Sequence, residues 1–295
     1  MAMAQRRFRF VAQIPALRRC SVVVCATLLF VTAALASLSA RQSEFPGIPA
    51  ARGQDVSPTF DGWERNPDGT INMYFGYYNR NSQEEVDVPL GAGNAFDLGN
   101  GDQGQPTHFY PGRKWFVFKV VVPKDWPSDK RLVWTLANRG RTNLAKGWLE
   151  AEWEVEAAGI FLNGYRDRVP AYGSAENLPT VAVTGGPSQT ITLPAKATLS
   201  ATATVSGSSN TDVEQGVNPK GIQVRWILYR GPGSVQFDPA ASPPVKGKPV
   251  MSETQLTFGA PGTYRIRAIG TDGALFSTYD FDVNVNPDPS AKKGT

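Results

Sequence analysis

The chain carries one imidazole, His108, in the segment Gln105-Pro-Thr-His-Phe-Tyr-Pro111, which is too rich in proline to be a strand interior. With the many serines and aspartates of the chain a Ser-His-Asp hydrolase site is formally open to it, but there is no Gly-x-Ser-x-Gly elbow, and a lone loop histidine is far more often structural. Asp97, Asn100 and Asp102 lie in Asp97-Leu-Gly-Asn-Gly-Asp-Gln-Gly104, a glycine-rich loop whose oxygen donors suit Ca²⁺. The spacing departs from an EF-hand loop, with Gly99 and Gly101 at its third and fifth positions and His108 at its twelfth. A solvated turn is the competing reading. Asp212 and Glu214, in a long polar stretch, form a second acidic pair. Glu150, Glu152, Glu154 and Glu156 alternate with Leu149, Ala151, Trp153 and Val155; on a strand they would project at about 6.6 Å intervals, too far apart to share one metal but suited to guarding a sheet edge. No acid pair stands out as the couple that glycoside hydrolysis requires.

Aromatic side chains are the more suggestive supply. Tyr74 and Tyr78 fall on one face of a strand about 13 Å apart, and Trp63 and Trp115 are available from neighbouring segments. Flat exposed rings stack on sugar faces, which makes Trp63, Tyr74, Tyr78 and Trp115 a candidate polysaccharide platform; the same rings packed beneath loops would serve only the core.

The elements that must position these groups read as strands. Asn66-Pro-Asp-Gly69 is a turn in which Pro fixes φ and Gly accepts φ > 0. After it Ile71, Met73, Phe75 and Tyr77 alternate with Asn72, Tyr74, Gly76 and Tyr78. Phe116, Phe118, Val120 and Val122 then oppose Trp115, Val117, Lys119 and Val121, and Leu132, Trp134 and Leu136 share a face before an Arg139-Gly140 turn. Residues 57–157 form a first β domain on this reading, 158–178 a linker, 179–287 a second β domain, and 288–295 a frayed tail. The second has short strands at a steady cadence, the mark of a two-sheet sandwich.

Composition agrees. The 295 residues are 41% hydrophobic, with 29 Gly and 23 Pro, about 18% of the chain against a usual ~12%, which favours a turn-rich all-β protein. The formal charge is +4, yet residues 1–40 hold Arg6, Arg7, Arg9, Arg18 and Arg19 and no acid. The remainder balances at 25 basic to 26 acidic residues and offers no net field for nucleic acid. These arginines, the apolar run 20–38 and Ser39-Ala40 read as a secretory signal peptide over 1–40, with an uncleaved membrane anchor as the alternative. A flexible lead-in follows over 41–56. Cys20 and Cys25, the only cysteines, lie inside the leader, so the mature chain would have neither thiol catalysis nor a disulfide.

In the second domain, Gln189-Thr-Ile-Thr-Leu193 leads to Ala197-Thr-Leu-Ser-Ala-Thr-Ala203, followed by Val224-Arg-Trp226, Gly231-Pro-Gly-Ser-Val-Gln-Phe237, Phe258-Gly-Ala-Pro-Gly-Thr-Tyr264 and Thr271-Asp-Gly273. This order resembles the PKD-like branch of immunoglobulin-like modules in bacterial secreted proteins, although Trp226-Ile-Leu-Tyr-Arg-Gly-Pro-Gly233 replaces the Trp-Asp-Phe-Gly-Asp-Gly type of signature. The first domain resembles one found in bacterial envelope proteins. The resemblance implies two antiparallel sandwiches, with Trp226 on a central strand and Tyr264 as a tyrosine corner. Tyr264, Ile266, Ala268, Phe281, Val283 and Val285 are expected to face inward, and Arg265 and Arg267 to meet Asp280 and Asp282 across neighbouring strands. The expected protein is a secreted or periplasmic, non-catalytic interaction or structural module whose partner is an envelope protein or polysaccharide. Carbohydrate binding and, behind it, a hydrolase are the alternatives.

Overall fold

In a computed structural model the chain divides into Met1–Ile48 and Pro49–Thr295. The structure describes residues 50–155, 179–204, 221–246, 248–272 and 276–290, all in the second unit. The leader at 1–40 with its two cysteines, most of the lead-in, the linker at 158–178, Glu156, the Asp212/Glu214 pair and the end of the tail lie outside the described residues. Among the described residues no helix is long and apolar enough to cross a membrane.

The front half begins with β1 (Val56–Arg65), β2 (Ile71–Asn79), β3 (Val86–Asp87) and β4 (Asn94–Phe96), then β5 (His108–Phe109), β6 (Gly112–Val122), β7 (Leu132–Asn138) and β8 (Arg141–Gly147). They build a β1-β2-β6 sheet, a β4-β7-β8 sheet and a β3-β5 ladder. The two three-stranded sheets close over one aromatic core, in which Trp134 of β7 meets Phe75 and Phe118 of the opposite sheet edge-on at 6.3 and 5.1 Å. Local chemistry sets the turns. Asp68 Oδ1 accepts from the Thr70 N–H at 2.9 Å beside Gly69 at φ +88°. The β7–β8 hairpin turns on Arg139 and Gly140, both at positive φ, as a two-residue loop with right-handed strand twist demands.

The rear half comprises β9 (Thr180–Thr184), β10 (Ser188–Thr192), β11 (Ala197–Thr204), β12 (Gln223–Arg230), β13 (Val235–Asp238), β14 (Val250–Phe258), β15 (Gly262–Thr271) and β16 (Phe276–Asn286). One sheet runs β13-β14-β11-β9 and the other β10-β16-β15-β12. With β9 as the first strand, β9-β11-β14-β13 is the ABED sheet of an immunoglobulin-like sandwich and β12-β15-β16 its CFG sheet. Trp226 is buried on β12 and its Nε1 donates to Ser252 Oγ on β14 at 3.1 Å, a cross-sheet pin between the C and E strands. The Tyr264 hydroxyl donates to the Ala260 carbonyl at 2.7 Å, a tyrosine corner, with Gly231 lying so close that a Cβ there would sit 2.3 Å from the ring. All six side chains expected inward from β15 and β16 are buried. Arg265 and Arg267 fork onto Asp282 and Asp280 at 2.6 to 3.1 Å.

Four expectations need correction. The sandwich is not wholly antiparallel, because β10 lies parallel beside β16. The described part of the run, 149–155, is not a strand. Residues 151–153 make one 3₁₀ turn, and of the described glutamates only Glu154 bridges, to Trp63, so Glu150, Glu152 and Glu154 form no row. Alternation on β2 does not separate core from solvent, since Asn72, Tyr74 and Gly76 are buried along with Ile71, Met73, Phe75 and Tyr77. Finally, Phe118, Val120 and Val122 keep a common phase but Phe116 does not, because β6 bulges between the Phe75–Phe118 and Tyr77–Lys114 pairs and Phe116 takes φ +50°.

Two single-atom changes in the rear core should act in opposite directions. Tyr264→Phe leaves the Ala260 carbonyl without its donor and should cost about 1 to 2 kcal/mol in urea unfolding. The Thr254 hydroxyl is buried with no hydrogen-bond partner, so Thr254→Val should raise stability by about 1 kcal/mol in the same assay.

Candidate functional site

The four rings expected to form a platform are not brought together. Trp63 is buried, its Nε1 donating to the Glu150 carbonyl at 2.7 Å. Tyr74 is also buried, edge-on to Phe116 with its hydroxyl donating to Glu64, and burial pushes its ionisation well above the usual tyrosine range. Tyr78 and Trp115 remain exposed, at 42% and 46%. The Arg113 guanidinium lies 3.7 Å over Trp115 and that of Arg80 5.9 Å over Tyr78, so each exposed ring carries its own guanidinium. The cause lies one layer down. Asp61, at a bulge in β1, is buried; it accepts from Arg113, from the Phe116 N–H at 2.7 Å and from Thr59 at 3.0 Å. Only glycine fits at position 76, where a Cβ would lie 2.4 Å from the Asp61 carboxylate. Two facing bulges thus rotate the aromatic sequence out of its predicted phase.

Asp97, Asn100 and Asp102 share a hollow of about 500 Å³ with Leu90 and Phe96, but their oxygens point to other partners. Asp97 Oδ1 accepts from Val133 N at 2.8 Å, and Asn100 Oδ1 from Asp102 N at 3.1 Å. Asp102 is gripped by Arg230 of β12 at 2.7 and 3.0 Å, which holds its carboxyl below the usual range. Among the described residues no three His, Cys, Asp or Glu side chains are grouped to hold a metal ion.

His108 is buried. Its Nδ1 lies 2.7 Å from Asp87 and its Nε2 3.0 Å from Glu85, so both nitrogens face carboxylates and neither faces a serine. Burial alone would depress the imidazole, but the two carboxylates outweigh it and raise its pKa to about 9. The surrounding strap, residues 104–110, binds the rear sandwich. Thr107 N donates to the Tyr229 carbonyl at 3.1 Å, the Tyr110 hydroxyl accepts from Leu228 N at 2.9 Å, and Tyr229 Oη donates to the Gly104 carbonyl at 2.6 Å. Arg230 Nε reaches the Gln105 carbonyl at 2.7 Å. Beside them Arg267 lies 3.7 Å over Tyr229 and donates to the Val117 carbonyl of β6 at 2.7 Å. The strap is rooted in the front core, where the Asn94 amide donates to Val88 and Pro106 carbonyls and itself accepts from Trp134 Nε1.

One aromatic cluster escaped the sequence reading. Phe60, Trp148 and Trp153 stand 5.7 to 6.0 Å apart, with Arg131 4.6 Å over Trp148 and Glu150 Oε2 accepting from Trp148 Nε1 at 3.3 Å. Phe60 is buried, Trp148 half-buried and Trp153 38% exposed, so the cluster runs from the core to the surface. The signal was available as Trp148-Leu-Glu-Ala-Glu-Trp153, but strict alternation made it look like a strand.

No protein-family model and no curated protein sequence matches the chain. Among solved structures it is similar to a protein of unknown function from Porphyromonas gingivalis W83, at 10% identity and TM-score 0.24 over 78% of this chain and 100% of that one. It is also similar to the fibronectin(III)-like modules of Clostridium thermocellum CbhA, at 12% identity and TM-score 0.23 over 78% and 94%. The titin domains I67–I69 align at 6% identity and TM-score 0.23 over 79% and 67%. Similarities this slight carry no argument; strand order, the buried Trp226 and the tyrosine corner define the rear half as an immunoglobulin-like sandwich.

The His108 clasp has a signed pH dependence. Its folded pKa, about 9, exceeds the unfolded ~6.5, so its contribution is complete below pH 6.5 and is lost as pH rises through 9. The loss should be about 2 kcal/mol, allowing for screening of the half-exposed Asp87 and Glu85. Chemical denaturation at pH 6 and pH 9.5 should show this difference in the wild type and a clearly smaller one in His108→Gln.

Proposed function

We propose that the chain is an exported, non-catalytic structural module in which two β units act as one rigid spacer within an extracytoplasmic assembly. The observation that carries this reading is the strap at 104–110, which exchanges hydrogen bonds with the outer edge of β12, together with Asp102 just before it, whose carboxylate accepts the guanidinium fork of Arg230. A flexible tethered pair has no need of such a joint, whereas a spacer does. The engagement of His108, Asp97 and Asp102 in structural bonds supports the non-catalytic reading. The arginine-rich, then apolar, residues 1–38 ending at Ser39-Ala40 support export, and the order of elements from Pro179 to Gly273 supports the PKD-like branch for the rear sandwich.

Scanning calorimetry of the full chain should show one cooperative transition, and Tyr110→Phe combined with Arg230→Ala should split it into two. Two separate transitions in the wild type would overturn the rigid-spacer reading. Mass spectrometry of the chain recovered from the envelope of an expressing bacterium should place the mature N-terminus at Arg41; retention of residues 1–40 in a cytoplasmic fraction would overturn export.

A further inference from the structure

We infer that the outer edge of β6 from Phe118 to Val122 is a self-association surface, where a second copy of the chain adds its own β6 antiparallel across a two-fold axis. The carrying observation is that the other long strand edges are closed while this one stays open. The edges of β1 and β8 are stitched by side chains: Val56 N donates to Asn138 Oδ1, and Asn143 of β8 donates to the Asp55 carboxylate and the Val56 carbonyl. Further along β1 the Trp63 carbonyl accepts from Val155 N. On β4, Asn94 N donates to the Gly91 carbonyl and Phe96 N to the Gly101 carbonyl. The outer edge of β12 is met by residues 240–245 and by the Tyr110 hydroxyl. β3, β5, β9, β10 and β13 have two to five residues each, and so short an edge is a poor template. β6 has 11 residues, stands at the end of its sheet and pairs with one neighbour, β2. Its first half is occupied by the bulge, by Phe116 N on Asp61 and by Arg267 on the Val117 carbonyl. Among the described residues no strand, loop or side chain hydrogen-bonds the outer side of 118–122.

The open segment reads Phe-Lys-Val-Val-Val. Phe118, Val120 and Val122 pack into the front core, while Lys119 and Val121 face outward, Val121 at 54% exposure. Three successive β-branched residues favour extended backbone, and edge strands are usually guarded by charge, which here is Lys119 alone. That one charge selects both the occupant and the register. In a two-fold pairing about Val120, Lys119 lies opposite Val121 of the second copy and Val121 opposite Lys119 of the second copy. The two ammonium groups are then kept apart, and each lysine stem covers a valine. Pairing about Lys119 sets lysine against lysine, and pairing about Val121 brings in Pro123, which has no N–H to give. Because the described residues offer one such edge per chain, association closes at a dimer with a continuous six-stranded sheet and does not grow into a fibre.

The inference goes beyond the spacer reading and does not rest on it, since calorimetry tests the joint at β12 and sedimentation tests the edge of β6. One added strand of this length belongs with the small, transient interfaces below about 1,200 Å², so a Kd of about 10 to 100 µM is expected. Sedimentation velocity of the full chain from about 5 to 500 µM should show a monomer–dimer equilibrium in that range. Val121→Lys faces Lys119 in both symmetric contacts and should weaken the dimer about tenfold or more, with the melting temperature nearly unchanged because the position is exposed. Val121→Glu should keep or tighten the dimer, and Lys119→Glu combined with Val121→Lys should restore it. A monomer throughout the range would overturn the proposal. So would a dimer that Val121→Lys leaves as it is, one that is broken by Met251→Lys on the rear sheet instead, or assemblies that grow beyond two copies.

Discussion

The Leu228 N–H sets the constraint on which the arrangement of the two halves depends. Along the outer edge of β12 and at Ile222 just before it, the N–H groups of Ile222, Val224 and Trp226 find acceptors within the rear sandwich, at the Val245 carbonyl, Ser242 Oγ and the Ala240 carbonyl. The fourth, Leu228, is met by the Tyr110 hydroxyl of the front half. An edge strand with an unsatisfied donor invites another chain, and a buried one costs stability. The immunoglobulin-like sandwich therefore has its edge completed by a neighbour, and the neighbour's strap is in turn ordered by Asn94 and Tyr77 from its own core.

The rear sandwich contains no cysteine, so its two sheets are joined without a disulfide. Trp226 and Ser252 join the two sheets by a buried hydrogen bond, and the interior is otherwise held by apolar burial. One of the outward arginines that would ordinarily add only a modest cross-strand ion pair is used twice. Arg267 forks onto Asp280 through Nε and Nη2, donates from Nη1 to the Val117 carbonyl and lays its face on Tyr229, so it is buried beneath the front half. A solvent-face ion pair thereby becomes part of the joint.

In the front half the local aromatic pattern is overruled by buried polar groups. Asp61 needs its charge neutralised and its oxygens filled. Arg113, the Phe116 N–H and the two bulges do this, and they change which rings reach water. Trp148 and Trp153 reach the surface for the opposite reason: their segment leaves the sheet, turns once, and is fixed on glycines whose missing side chains give it a seat.

Residue order alone determined the all-β class, the strands of the rear half to within a few residues, Trp226 and Tyr264 in its core, and the pairing of Arg265 and Arg267 with Asp282 and Asp280. These follow from period-two alternation and turn chemistry, which are local. Only the tertiary structure decided that Trp63 and Tyr74 are buried, that His108 is clasped by Glu85 and Asp87, that Asp102 answers Arg230, and that Phe60 joins Trp148 and Trp153. Each of these joins residues 20 or more positions apart or depends on a bulge that shifts register. Alternation carries no information on which of two faces a second layer will cover, or on which distant charge a buried carboxylate will find.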